Sequence, residues 1–239
     1  MKKCQPLCCM LPVYLIVILC LLLAAAGGSR VISVYSQSRE IENRSCVIID
    51  AGHGGVDGGA TSCTGVLESK INLDIAKRVE DVMHLIGIKT LMIRDTDRSI
   101  HTQGNSISEQ KISDLKNRVK IINSTANALL VSIHQNHFSD SRYNGAQVFY
   151  AETSGSKELA HDLQKVLSNT LSKNNHRQIK RADGVYLMKK IECTGILVEC
   201  GFISNPEEEA KLRNEEYQKK LSCVLAVTIS NYLDQSKMH

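Results

Sequence analysis

Tryptophan is absent from the 239-residue chain and phenylalanine occurs only 3 times, so any core must be aliphatic. There is no excess of one charge. Beyond residue 26 the chain carries 27 basic against 25 acidic side chains, which removes the electrostatic case for nucleic acid. Internal repeats and low-complexity tracts are missing, as is any compact metal motif of the HExxH kind. The 9 cysteines contain no CxxC pair, which excludes a zinc ribbon. Four of them (Cys4, Cys8, Cys9, Cys20) lie near the start; the other five (Cys46, Cys63, Cys193, Cys200, Cys223) are an odd number, so complete pairing is excluded too. Cys46, Cys200 and Cys223 fall in apolar periodic segments and read as small hydrophobes. Cys63 and Cys193 read as loop thiols or one bridge.

What is present begins with Lys2 and Lys3 ahead of an apolar run from Met10 to Ala26. A basic start, an apolar stretch near the lower limit of a membrane span and small residues at Ala24-Ala25-Ala26 predict an export signal or an uncleaved signal-anchor over residues 1–27. Leu19 is too large to precede a lipidated cysteine, so Cys20 is not a lipoprotein site. Residues 28–45 are polar and read as a linker, and 46–235 as one catalytic-size domain.

Within that domain strand and helix patterns alternate. Strands are expected at Cys46–Asp50, Lys89–Arg94, Ala128–Ile133, Ala146–Tyr150, Gly184–Met188 and Gly195–Glu199. Ile71, Ile75, Val79, Val82 and Ile86 recur at helical spacing and Gly87 ends the segment, predicting a helix from Ser69 to Ile86. Further helices are expected at Ser113–Ser124, Ser156–Leu171, Pro206–Leu212 and Tyr217–Leu233, with a flexible loop over Ser99–Ile112. The fold class is therefore α/β: a single three-layer domain, a mostly parallel or mixed sheet of about six strands with helices on both faces, and a site at the carboxyl edge of the strands.

Several chemically capable side chains sit where those strands end. His53 follows Cys46-Val-Ile-Ile-Asp-Ala-Gly in a glycine-rich turn that leaves space beside the imidazole. His134 ends Leu129-Leu-Val-Ser-Ile, with Asn136 two residues on. Glu199 emerges from Gly195-Ile-Leu-Val, where a charge costs several kcal/mol unless a cation or a proton-transfer role compensates. Glu68 opens the first helix and alone would be favourable charge at a helix N-terminus. Histidines with a carboxylate suit a catalytic zinc with an open position, and a further carboxylate can move protons.

His53 in AGHGG, Glu68 in LESKINL, His134 in SIHQN and Glu199 in VECGFISN resemble the marks of zinc-dependent N-acetylmuramoyl-L-alanine amidases, in family order over about residues 46–234. Gly58-Gly-Ala60, Arg94 with Asp97, and Arg118 in Asp114-Leu-Lys-Asn-Arg118 extend the resemblance, which is greatest toward the spore-cortex branch. It implies one zinc ion per chain held by His53, Glu68 and His134, with Glu199 as catalytic acid-base. Asn136, Arg118 and Asn205 become candidate substrate contacts. The implied substrate is the amide between the lactyl group of N-acetylmuramic acid and L-alanine, on peptidoglycan glycan strands carrying stem peptides. The implied setting is spore-cortex maturation, through muramic-δ-lactam, and germination. The implied location is exported: the outer face of the cytoplasmic membrane, the cell wall or the forespore intermembrane space. An activator or accessory protein is left open. Alternatives are a vegetative autolysin, a stem-peptide zinc peptidase and a non-catalytic wall-binding protein. A further rival is a thiol hydrolase using Cys200 or Cys63 with a histidine; Cys200 is disfavoured, because adjacent strand residues point to opposite faces and Glu199 is the one expected to face the site.

Overall fold

The computed structural model describes residues 45–172 and 175–236; the expected export segment, and the linker up to residue 44, lie outside them. β1 (Cys46–Ala51) is buried at every position, as expected of a strand covered on both faces. It pairs in parallel with β2 (Lys89–Met92) on one side and β3 (Ala128–Asn136) on the other. β3 pairs in parallel with β6 (Thr194–Phe202), and β6 pairs antiparallel with β4 (Gln147–Tyr150). A two-residue β5 (Lys180–Arg181) closes the far edge, giving the order β2-β1-β3-β6-β4-β5. The sheet is mixed and six-stranded.

The two faces are covered unequally. One carries α1 (Glu68–Leu85), α3 (Ser156–Thr170) and the long α6 (Glu215–Ser236). Ile75, Val79, Leu163, Leu225 and Ile229 pack there on Val47, Ile49, Val131, Ile133 and Val198. The other face is thinner, covered by α2 (Ile107–Ser124) and the short α4 (Tyr186–Lys190) over Ile48, Leu130 and Leu197. α5 (Pro206–Arg213) follows β6 with proline in its first turn.

Three sequence expectations change. Gly184–Met188 is not a strand: residues 183–184 form a turn and α4 follows, because Leu187, Met188 and Ile191 then share one buried face on the thin layer. A four-residue apolar run does not distinguish strand from helix. The segment Ser99–Ile112 is not wholly loop, since α2 starts at Ile107, six residues before the expected Ser113. Its start is set by a capping box: Ser106 Oγ accepts from Glu109 N while Glu109 reaches back to Ser106 N. Finally, Cys223 is exposed on α6 rather than buried; Cys46, Cys63, Cys193, Cys200 and Cys223 are all free thiols.

Among the described residues no helix is long and apolar enough to cross a membrane. Leu163 on α3 is fully buried. Leu163→Ala is expected to destabilise the domain by about 2–5 kcal/mol, read from urea unfolding midpoints.

Candidate metal centre

β1 delivers the first histidine through a turn that local preference alone would not sustain. His53 has φ 62°, in the left-handed region that costs a non-glycine residue energy. Two buried arginines hold it there. Arg94, fully buried, donates from Nε to Ala51 O at 2.8 Å, and from Nη2 to Gly52 O at 2.9 Å and Ser69 O at 2.8 Å. Arg118, 2% exposed, ion-pairs with Asp50 and Asp114 and donates to Ala51 O at 3.1 Å and His53 O at 2.8 Å. Burial alone would push the Asp50 carboxyl up; the Arg118 guanidinium and the Ser132 hydroxyl outweigh it and hold it below its ordinary range.

Glu68 enters from the first turn of α1, 4% exposed. Its Oε2 accepts from Ala60 N at 3.0 Å; its Oε1 accepts from Gln135 N at 3.2 Å and Asn72 Nδ2 at 3.3 Å. The remaining faces of the carboxylate meet imidazoles: His53 Nε2 lies 3.3 Å from Oε2 and His134 Nδ1 3.0 Å from Oε1. Against a burial penalty that favours the neutral acid, the bonds to His134 and His53 keep Glu68 well below the usual carboxylate range. One ligand atom from each of His53, Glu68 and His134 lies within 4.8 Å of the others, so folding brings this trio together. The imidazoles stand edge to face with centroids 5.0 Å apart.

Glycine makes the approach possible. A Cβ at Gly52 would collide with the His134 ring, so the room beside this glycine is filled by the second histidine and not by a ligand. A Cβ at Gly59, where φ is +69°, would come within 2.6 Å of Glu68 Oε2.

Glu199 is the Cα partner of His134 across the β3–β6 pair. Strand alternation puts Leu197 on the thin-layer face, so Glu199 rises from that face too, and Cys200 packs into the opposite core. Glu199 Oε2 is sealed from solvent and meets no hydrogen-bond partner. Burial pushes its carboxyl up to about 7, with His134 and His53 opposing and Glu68 adding. A cavity of about 370 Å³ opens beside the two histidines, lined also by Asp50, Lys111, Arg118 and Tyr186.

The other sequence candidates have different partners. Arg118 spends its guanidinium on Asp50, Asp114 and backbone carbonyls. Asn205 caps α5 through Glu207 N and Glu208 N, and donates to Ser141 O at 2.8 Å and Tyr143 O at 3.3 Å. Asn136 ends β3, its carbonyl accepting from Ile203 N. Asp57 and Asn72 escaped the sequence reading. Asp57 Oδ2 binds His53 Nδ1 at 2.9 Å; burial alone would lower the His53 imidazole, but the bonds to Asp57 and Glu68 outweigh it and raise it to about 9. Asn72 Nδ2 reaches both Glu68 and Gly52 O. The available signal was spacing: Asp57 is four residues past His53 and Asn72 one helical turn past Glu68.

Residues 47–231 match the N-acetylmuramoyl-L-alanine amidase family. The germination-specific N-acetylmuramoyl-L-alanine amidase of Bacillus subtilis is 35% identical over 191 residues, 79% of this chain and 80% of the relative. The amidase LytC of the same organism is 33% identical over 177 residues, 73% of this chain and 32% of its own length. Among solved structures, the CwlD amidase from Clostridioides difficile, in complex with the GerS lipoprotein, matches with a TM-score of 0.76 at 35% identity, covering 80% of this chain and 99% of that one. The catalytic domain of CwlV from Bacillus (Paenibacillus) polymyxa var. colistinus matches with a TM-score of 0.68 at 29% identity, covering 80% of this chain and 98% of that one. The chain belongs to the N-acetylmuramoyl-L-alanine amidase family, and it is an amide hydrolase of that class.

Arg118→Met leaves Asp50 and Asp114 buried without their cation. It is expected to cost about 3–5 kcal/mol in stability, measured by denaturant unfolding at neutral pH.

Proposed function

We propose that this amidase is zinc-dependent, that His53, Glu68 and His134 hold the ion, and that it cuts the amide joining the lactyl group of N-acetylmuramic acid to L-alanine in spore-cortex peptidoglycan. The observation that carries the reading is Glu199: a sealed carboxylate oxygen with no partner, beside two imidazoles and an acid whose ligand atoms converge. Two nitrogens and one carboxylate oxygen fit a catalytic zinc that keeps a position open. When bound, such an ion supplies Lewis-acid polarisation of the carbonyl and a lowered pKa for water.

The protein's own part follows from its geometry. Asp57 and Glu68 orient His53; Asn72, Ala60 and Gln135 orient Glu68. Glu199 takes a proton from the water whose oxygen bonds to the lactyl carbonyl carbon. As the carbon–nitrogen bond breaks, Glu199 returns that proton to the alanine nitrogen, so the products are a lactyl carboxylic acid and a peptide with a free amino terminus. A carboxyl raised by burial is suited to both steps. In this reading Arg118 and Asn205 act by positioning the loops that carry the site, and Asn136 stands at its edge.

The cortex substrate is supported by identity to the germination-specific enzyme of Bacillus subtilis. The apolar N-terminal run supports export of the domain to the outer face of the membrane or the cell wall. CwlD was solved with the GerS lipoprotein, which supports an accessory protein here as well.

Glu199→Gln is expected to retain one zinc per chain while release of N-terminal alanine from cortex peptidoglycan falls roughly 10²-fold or more. Metal analysis and product chromatography check both. Turnover near wild type would sink the role of Glu199, and cleavage within the stem peptide would make the enzyme a peptidase.

A further inference from the structure

An imidazole has two nitrogens, and only one of those on His53 faces the cluster. Nδ1 meets Asp57 Oδ2 at 2.9 Å, and Nε2 lies 3.3 Å from Glu68 Oε2. Asp57 therefore decides which nitrogen is presented. Its backbone is tied to Gly54 in both directions, Gly54 N to Asp57 O at 2.7 Å and Asp57 N to Gly54 O at 3.2 Å. The carboxylate has a separate restraint. Oδ1 accepts from Gly59 N at 3.2 Å and lies 2.8 Å from Lys111 Nζ.

Lys111 comes from α2, not from the loop. The Ser106–Glu109 capping box starts that helix just ahead of it. Asp114 and Arg118, three and seven residues on, anchor the same helix face to Asp50. The lysine is thus carried on a fixed element, with its ammonium against the Asp57 oxygen that does not meet His53. An ion pair with side chains 46% and 20% exposed adds little to stability. Its geometry, however, ends on a histidine of the metal centre.

We propose that Lys111 is a positioning residue for the metal centre: it pins Asp57 Oδ1 so that Oδ2 holds the Nδ1–H of His53 and Nε2 stays aimed at Glu68 and His134. The inference rests on reading His53, Glu68 and His134 as the zinc ligands. Partners that orient a ligating histidine commonly govern metal affinity about as visibly as activity.

The test is zinc affinity of the full-length chain, purified in detergent and titrated against a chromophoric chelator. Asp57→Asn is expected to weaken zinc binding by roughly 10–100-fold. Lys111→Met, one link further away, is expected to weaken it by roughly 3–10-fold, and Lys111→Arg to recover most of that loss. The double variant Asp57→Asn/Lys111→Met is expected to bind zinc no more weakly than Asp57→Asn alone, because both act through one path. Zinc affinity within about twofold of wild type for Lys111→Met, or additive losses in the double variant, overturns the proposal. So does a raised KM with zinc affinity unchanged, which would make Lys111 a substrate contact. A wild-type chain that binds no stoichiometric zinc removes the metal centre itself, and a wild-type chain that binds it while Lys111→Met matches it removes only the role of Lys111.

Discussion

Two guanidiniums buried beneath one turn hold this site together. Arg94 and Arg118 donate to the carbonyls of Ala51, Gly52 and His53, the successive residues on which β1 gives way to the loop. Arg94 also reaches Ser69 O in α1, and Arg118 reaches Asp114 in α2. Burying two cations costs several kcal/mol each unless carbonyls and carboxylates compensate, and here Asp50, Asp114 and the loop carbonyls do so. What the arrangement secures is placement: a histidine held in a left-handed conformation, with the helix that bears Glu68 tied to the same point.

The sheet supplies the other half of the geometry. Parallel pairing of β1, β3 and β6 brings three strand ends to one edge, and the β3–β6 register sets His134 beside Glu199. Alternation then separates their neighbours: Cys200 and Ile133 turn into the thick core, away from the cavity. The unequal layers matter as well. The face covered by α2 and α4 leaves room for the cavity beside the histidines, whereas the opposite face is filled by α1, α3 and α6.

Much of this was legible because it is local. The α1 stripe of Ile71, Ile75 and Val79, and the apolar runs of β1, β3 and β6, sort themselves by periodicity. α4 was not, because Val185-Tyr-Leu-Met is too short to carry a period, and only packing on Leu197 and Leu130 makes it a helix. The early start of α2 was readable from Ser106 and Glu109 but competed with a polar stretch that looks like loop. Arg118 entered as a candidate substrate contact through the family resemblance, in the stretch Asp114-Leu-Lys-Asn-Arg118. Asp114 lies one turn away on its own helix, but Asp50 lies on β1, so only the tertiary structure shows where the rest of its charge is spent.

By itself the sequence determined the inventory: which strands are buried, that each ends near a group able to bind a metal or move a proton, and the order in which those groups occur. Tertiary structure decided which atoms meet. His53 to Glu68, His134 to Glu68, and Asp57 to Lys111 are contacts between elements whose separation along the chain carries no periodic signal. Strand alternation and helical spacing act over a few residues and can be read in order. Which Glu68 oxygen faces which imidazole depends on how a helix, three strands and a glycine turn pack at once, and no short stretch of chain encodes that.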